Sequence, residues 1–148
     1  MGSEAGLWSH MRRKCKNFPC DLTRVENGVE TGTPDVNGCY DAVEFWVELK
    51  FRETWPVRES TPVRFRHYTE DQRRWLRDRG KVGGRAWLLV QVGRCYMLFN
   101  WFYAQGVGLY NQEQMLLNAS FVWYGALSGR QLLLALTQGG ICIVRRQR

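Results

Sequence analysis

The chain has 148 residues, a length typical of one domain, and its 45% hydrophobic and 24% charged residues exclude an intrinsically disordered chain. Its 21 lysines and arginines exceed the 14 acidic residues, and the net charge of +7 favours a polyanionic partner such as nucleic acid. The five cysteines form no CxxC pair and only two histidines accompany them, which argues against a zinc site and for reduced thiols in an intracellular protein. We expect neither a signal peptide nor a membrane span, because no apolar run is long enough.

The first predicted element is a helix over residues 3–16, with Ser3 as its N-cap. A strand is predicted over residues 21–27. Further along, Asn37 and Gly38 form a dipeptide that is typical of a tight turn between two strands. The N-terminal third therefore predicts a helix followed by strands and turns.

The most regular strand is predicted over residues 42–51, because hydrophobic and polar side chains alternate through it. One face carries Val43, Phe45, Val47, Leu49 and Phe51, and the other carries Glu44, Trp46, Glu48 and Lys50. An alternation of this kind indicates a strand with one face in the core.

A second helix is predicted over residues 69–79, where Thr69 and Gln72 have the spacing of a capping box. Gly80 is expected to end it, since glycine is common just after a helix. Three shorter strands and a last helix are predicted over residues 86–92, 96–99, 121–124 and 129–137. The mixture of helices and strands predicts an α/β domain with a central sheet.

Chemistry is suggested by the polar face of the 42–51 strand. Glu48 and Lys50 leave the same side, and a hairpin centred near residues 39–41 would bring Asp35 beside Glu48. Two carboxylates and a backbone carbonyl suit a hard cation such as Mg²⁺. The alternative is that the Glu-x-Lys triplet belongs to a solvated strand face with a weak ion pair.

Two segments resemble a known family. The run GTPDVNGCYDAVEFWVELK (residues 32–50) resembles the PD-(D/E)xK nuclease superfamily, in particular its VRR-NUC and archaeal Holliday-junction-resolvase-like branches. The run YTEDQRRWLRDRGKVGGRAWLLVQVG (residues 68–93) continues the resemblance, which covers residues 3–99. The chain is similar to small phage-encoded members of this group. It implies a restriction-endonuclease-like α/β core, with a mixed central β-sheet flanked by helices. One such domain is expected over residues 1–148, with 100–148 an unassigned C-terminal extension.

The resemblance also implies roles for individual residues. Asp35 and Glu48 would be metal ligands and catalytic residues, Lys50 the catalytic lysine, and Leu49 would offer its carbonyl to the metal. Glu4 would be an additional acidic metal ligand, although an acidic residue is also favoured at a helix N-terminus. Gln72, the glutamine of the second predicted helix, would be a further catalytic residue. The alternative is that Gln72 is only a structural partner in the capping box.

Basic residues concentrate around the second predicted helix and are expected to bind nucleic acid: Arg64, Arg66, Arg73, Arg74, Arg77, Lys81 and Arg85. Arg73, Arg77 and Gly80 share one helical face, so we expect at least one positive face that contacts phosphates without reading sequence. The alternative is a solvated charged surface.

These expectations combine into an endonuclease that hydrolyses DNA with Mg²⁺, or with Mn²⁺ in its place. Branched or Holliday-junction DNA is the expected substrate, within phage DNA processing in the host cytoplasm. Two symmetric cuts would require a homodimer. Two alternatives stay open, namely a non-catalytic nucleic-acid-binding module and a protein that binds a host enzyme through its aromatic C-terminal surface.

Overall fold

The computed structural model describes residues 2–26 and 30–138, in which six strands form one sheet with helices packed around it. The strands lie in chain order across the sheet; β3 and β4 are parallel and every other neighbouring pair is antiparallel. The elements are α1 (Glu4–Cys15), β1 (Cys20–Arg24), β2 (Val36–Tyr40), β3 (Val43–Arg52), α2 (Glu70–Lys81), β4 (Ala86–Val92), β5 (Cys95–Asn100), α3 (Trp101–Ala104), α4 (Gln112–Asn118), β6 (Phe121–Tyr124) and α5 (Gly129–Gln138).

Each face of the sheet is covered by its own hydrophobic layer. Helices α1 and α5 contribute side chains such as Leu7 and Leu132 to one layer, where they meet the apolar face of β3. Helices α2, α3 and α4 contribute side chains such as Leu76 and Met115 to the other layer. The α/β class, the mixed central sheet and the flanking helices predicted for a restriction-endonuclease-like core are therefore confirmed.

Helix α1 begins as its sequence predicts. The Ser3 hydroxyl accepts a hydrogen bond of 2.9 Å from the Gly6 N–H, which satisfies one of the free donors of the first turn. Leu7, Met11 and Cys15 are fully buried, so one face of the helix is anchored on the sheet. This anchoring fixes the first turn, and with it Glu4, beside strand β3.

The hairpin of β2 and β3 turns close to its predicted centre near residues 39–41, but not at Asn37-Gly38, where a tight turn was also predicted. Asn37 and Gly38 lie inside β2, paired with Trp46 and Phe45, so the predicted tight turn at these residues is wrong. The chain reverses at Asp41 and Ala42, which take positive φ angles of 52° and 63°. Gly38 is needed in the strand because a Cβ there would stand 2.3 Å from the ring of Phe45.

Helix α2 has the predicted capping box and runs further than predicted. The Gln72 N–H donates to the Thr69 hydroxyl (3.2 Å), and the Thr69 N–H donates to the Gln72 side-chain oxygen (3.0 Å). Gly80 does not end the helix, which continues through Lys81. Its role is packing, since a Cβ on Gly80 would lie 2.1 Å from the Trp101 ring of α3.

Much of the predicted C-terminal extension joins the same layers as the core. Strand β6 adds to the edge of the sheet beside β5, and α5 packs on the layer that holds α1. Residues 139–148 of the extension lie outside the described residues, as does residue 27 of the predicted first strand. Among residues 2–26 and 30–138, no helix has the length and apolar character needed to cross a membrane.

Candidate metal centre and nucleic-acid clefts

The candidate centre lies where β2 ends and β3 continues. The β2–β3 ladder stops at the pair Val36 and Val47, so the next part of β3 has no β2 backbone beside it. Asp35 replaces that backbone, because its Oδ2 accepts a 2.9 Å hydrogen bond from the Leu49 N–H. Its Oδ1 lies 4.0 Å from the Arg24 guanidinium. The end of the hairpin thus fixes one carboxylate beside β3.

Three carboxylates converge at this point. Each of Glu4, Asp35 and Glu48 offers one oxygen, and these oxygens all lie within 4.8 Å of one another. They come from three different elements: the first turn of α1, the residue before β2, and the middle of β3. Sequence separation gives no reason for Glu4 to meet the other two, so their convergence is a product of the fold.

Glu48 is the buried member of this cluster. It is 1% exposed; its Oε1 is ion-paired with Lys50, and its Oε2 has no hydrogen-bond partner in the described part of the chain. Burial, reinforced by the neighbouring Asp35 carboxylate, raises the pKa of Glu48 well above its usual value, while Lys50 opposes the rise. A buried carboxylate in this state costs free energy unless a cation approaches it.

Lys50 supplies part of that positive charge. Its Nζ lies 3.2 Å from Glu48 Oε1 and 3.4 Å from Glu4 Oε1, and the side chain is only 3% exposed. The alternative of a solvated strand face does not hold for Glu48 and Lys50, because both side chains are buried. Strand β3 is covered on both faces, which places these charges in a region of low dielectric where their interactions are strong.

The donor set fits a hard divalent cation. Carboxylate oxygens from separate elements are the ligands that Mg²⁺ prefers, and Glu48 offers one of the three clustered oxygens. The single ammonium of Lys50 does not balance the charge of three carboxylates, so a bound cation would reduce the net negative charge of the centre. The Leu49 N–H is used by Asp35; the role of its carbonyl as a metal ligand stays a prediction.

A cleft of about 580 Å³ opens on the Lys50 side of the cluster, and Glu4 lines it as well. Its basic residues come from the end of β3 and from the segment before α2. They are Arg52, Arg64, Arg66 and His67, of which the last three are exposed. Arg64 and Arg66 are therefore placed where the sequence predicted cationic contacts, next to the acidic centre.

A second cleft, of about 440 Å³, opens on the Asp35 side and is lined by Gln72, Thr69 and Asp71 of the α2 N-terminus. Gln72 thus lies in the same cleft as Asp35 while its side-chain oxygen completes the capping box. Gln72 therefore has the structural role of a capping-box partner and also lies near the site. Its catalytic role stays a prediction.

Two of the predicted nucleic-acid contacts have structural roles instead. Arg73 donates to the carbonyls of Tyr68 (2.9 Å) and Val107 (2.6 Å), and its guanidinium lies over the Tyr68 ring. Arg85 donates to the Leu136 carbonyl (2.6 Å) and is half-buried, which lowers its pKa. Of the positive helical face predicted through Arg73, Arg77 and Gly80, Arg73 and Gly80 face inward and only Arg77 remains on the surface.

The other predicted cations on α2 remain on the surface. Arg74 forms an ion pair of 3.0 Å with Asp71, and Arg77 lies 3.8 Å from Asp78. Lys81 is exposed at the end of the helix. Exposed pairs of this kind contribute little to stability, so these side chains are free to exchange partners.

Arg52, for which the sequence predicted no role, lies near the site. Arg52 lines the larger cleft, and the same strand alternation that groups Glu48 with Lys50 would have grouped Arg52 with them. Arg79 lies seven residues after Gln72 on α2, a spacing that returns to the same helical face.

No protein-family model and no curated protein matches the chain. Among solved structures, the chain is similar to Hjc of Archaeoglobus fulgidus, a Holliday junction resolvase from an archaeal hyperthermophile. The TM-score is 0.45 with 17% identity, over 68% of this chain and 75% of that chain. A likeness at this level carries no functional argument, so the function has to be inferred from the chain's own residues.

Proposed function

We propose that the chain is a Mg²⁺-dependent endonuclease that hydrolyses DNA phosphodiester bonds, with Mn²⁺ able to replace Mg²⁺. The observation that carries the proposal is the convergence of Glu4, Asp35 and Glu48 within 4.8 Å, against a buried lysine. An acidic cluster that only stabilised the fold would not need a fully buried carboxylate that shares its one lysine partner with a second carboxylate.

The residues of the centre have two proposed roles. Some would bind the cation, and Lys50 would offset negative charge during the reaction. Glu4, Asp35 and Glu48 would hold the ion, with the Leu49 carbonyl as a further ligand. When bound, such an ion stabilises negative charge on the scissile phosphate and lowers the pKa of a coordinated water. Lys50 would orient the attacking water and offset the negative charge that develops as the bond breaks. Gln72 would support the Asp35 side of the centre.

The proposed substrate is DNA, held by its phosphates and not read by sequence. Arg52, Arg64 and Arg66 line the cleft beside the centre, and contacts from such side chains position a strand without specifying bases. We extend the proposal to branched or Holliday-junction DNA, to a homodimer that makes paired cuts, and to phage DNA processing in the host cytoplasm. We also propose that residues 1–148 form one nuclease domain.

The first prediction is metal-dependent cleavage that depends on Asp35. Branched and linear DNA are incubated with the protein in Mg²⁺, in Mn²⁺ and in EDTA, and the products are separated on denaturing gels. Asp35→Asn keeps an oxygen that accepts from the Leu49 N–H but removes the charge. We expect it to reduce the cleavage rate by about 10²-fold or more.

Glu44→Gln is the matched control, since Glu44 lies on the same strand face as Glu48 but is exposed. It should cleave at the wild-type rate. Cleavage in EDTA, or full activity of the Asp35→Asn protein, would contradict the proposal. Salt-sensitive DNA binding without cleavage in any metal would instead support the non-catalytic binding module.

A further inference from the structure

Two tryptophans and an arginine form a cluster beside the acidic centre. Trp46 extends from the same face of β3 as Glu48, two residues away, and its ring lies 5.1 Å from the ring of Trp75 on α2. The Arg79 guanidinium carbon lies 4.6 Å from the Trp75 ring centroid and 5.7 Å from that of Trp46. The cluster therefore joins the strand that carries the centre to the helix that carries Gln72.

The Arg79 side chain is held in place along its length. Its stem crosses Gly84, where a Cβ would lie 2.5 Å from the Arg79 Cδ, so only glycine leaves space for it. Its charged end contacts the two aromatic rings and remains exposed. Within residues 2–26 and 30–138, no carboxylate forms an ion pair with it. Arg79 differs in this from Arg74 and Arg77 on the same helix.

A guanidinium stacked on an aromatic ring keeps its N–H groups at its edge, where they remain free to bind. The planar fork of N–H donors matches the oxygens of a phosphate, and the stacked arrangement has already lost much of its rotational freedom. Such a group binds phosphate with less entropic cost than a mobile surface lysine. Its chemistry therefore selects an oxyanion ligand.

The position of the cluster indicates which phosphate it would meet. Along one face of α2, Gln72 lines the cleft that contains Asp35, and Trp75 and Arg79 follow one and two turns later. Arg64 and Arg66 lie in the other cleft, on the Lys50 side. The acidic centre thus has a cationic cleft on one side and the Arg79 cluster on the other.

We propose that Arg79, held by Trp75 and Trp46, binds a backbone phosphate of the nucleic-acid strand on the Asp35 side of the centre. This inference rests on the proposed function and deepens it, because it gives the strand a contact on each side of the scissile bond. The expected ligand is a phosphodiester of a DNA strand, bound without regard to base sequence.

The test measures binding separately from cleavage. Fluorescence anisotropy with short labelled single-stranded and branched DNA is recorded in EDTA over a range of salt concentrations. The variants are Arg79→Gln, Arg79→Lys and, as the matched control, Arg74→Gln, which removes an exposed arginine of the same helix that is paired with Asp71. Circular dichroism melting confirms that each variant is folded.

We expect Arg79→Gln to weaken binding about five- to tenfold and to reduce the salt dependence by about one phosphate contact, and Arg74→Gln to change neither by as much. Arg79→Lys should also bind weakly, because lysine lacks the planar fork. Equal binding by Arg79→Gln and Arg74→Gln would overturn the inference, and full binding by Arg79→Lys would overturn the role assigned to the planar guanidinium.

The two proposals fail in different ways. If no metal supports cleavage but the loss on Arg79→Gln is seen, the endonuclease proposal fails and the phosphate contact stands. If cleavage requires Mg²⁺ and Asp35 while Arg79→Gln binds like Arg74→Gln, the endonuclease proposal stands and the phosphate contact fails.

Discussion

At the scale of single residues, the centre has more negative charge than its own side chains neutralise. The Lys50 ammonium contacts Glu4 and Glu48, and Arg24 approaches Asp35 only at 4.0 Å. Burial raises the pKa of Glu48 well above its usual value, so the ionised form of this carboxylate is destabilised. We interpret this local cost as the reason why the site would bind a cation.

The second prediction follows from that charge balance. Glu48→Gln removes a buried carboxylate whose pKa is raised, and it leaves Lys50 paired with Glu4 at 3.4 Å. In EDTA near pH 7 the variant should unfold with a free energy about 1 kcal/mol or more larger than the wild type, because folding no longer raises the pKa of a buried carboxylate.

Urea unfolding monitored by tryptophan fluorescence measures this difference. Addition of Mn²⁺ should stabilise the wild type and leave Glu48→Gln unchanged, because only the wild type keeps the full ligand set. A variant that is less stable than the wild type in EDTA would show that Glu48 contributes to the fold, contrary to our interpretation.

The third prediction concerns Lys50, the opposite charge of the same cluster. Lys50→Met leaves three carboxylates within 4.8 Å without the ammonium between two of them, so stability in EDTA should fall by about 3–5 kcal/mol. Added Mn²⁺ should restore more stability to this variant than to the wild type, as thermal melts with and without the ion would reveal. An unchanged melting temperature in EDTA would contradict the burial-based argument.

At the scale of elements, the β2–β3 hairpin sets the position of Asp35. Its register places Val36 opposite Val47, so the residue before the strand falls beside the Leu49 N–H. The fourth prediction is that Gly38→Ala, whose new Cβ would meet the buried Phe45 ring, destabilises the protein by about 1–3 kcal/mol.

The hairpin prediction can be checked by urea unfolding of Gly38→Ala beside Glu44→Ala, an exposed position of the same hairpin that should change stability by no more than about 0.5 kcal/mol. If Gly38→Ala and Glu44→Ala were equally stable, the Phe45 ring would have to move aside for the new Cβ. The close contact between Gly38 and Phe45 would then not be needed for the register of the hairpin.

The sequence predicted these elements unevenly, for physical reasons. Strands with regular alternation, such as β3, and the capping box of α2 were evident because their signals are local. The tight turn was misplaced because Asn37-Gly38 has turn chemistry, whereas the strand needs Gly38 for a contact with Phe45 that only the tertiary structure supplies. Likewise, the inward position of Arg73 depends on the packing of α2 against α3.

At the scale of the whole molecule, the sheet brings distant parts of the chain to one point. Glu4 precedes Glu48 by more than forty residues, yet burial of Leu7, Met11 and Cys15 holds its helix against the β3 layer. The family resemblance predicted Glu4 as a candidate metal ligand, and the fold brings Glu4 close to Asp35 and Glu48. Part of the excess of positive charge lies in the cleft on the Lys50 side of the acidic cluster, and Arg79 lies beside Trp75 on α2.

An anomalous diffraction map from crystals of the protein grown or soaked with Mn²⁺ tests the metal centre directly. We expect one strong peak within coordination distance of the carboxylates of Glu4, Asp35 and Glu48, close to Lys50, and its loss in Glu48→Gln crystals. A map without density among these three carboxylates, or with Mn²⁺ bound only elsewhere, would contradict it.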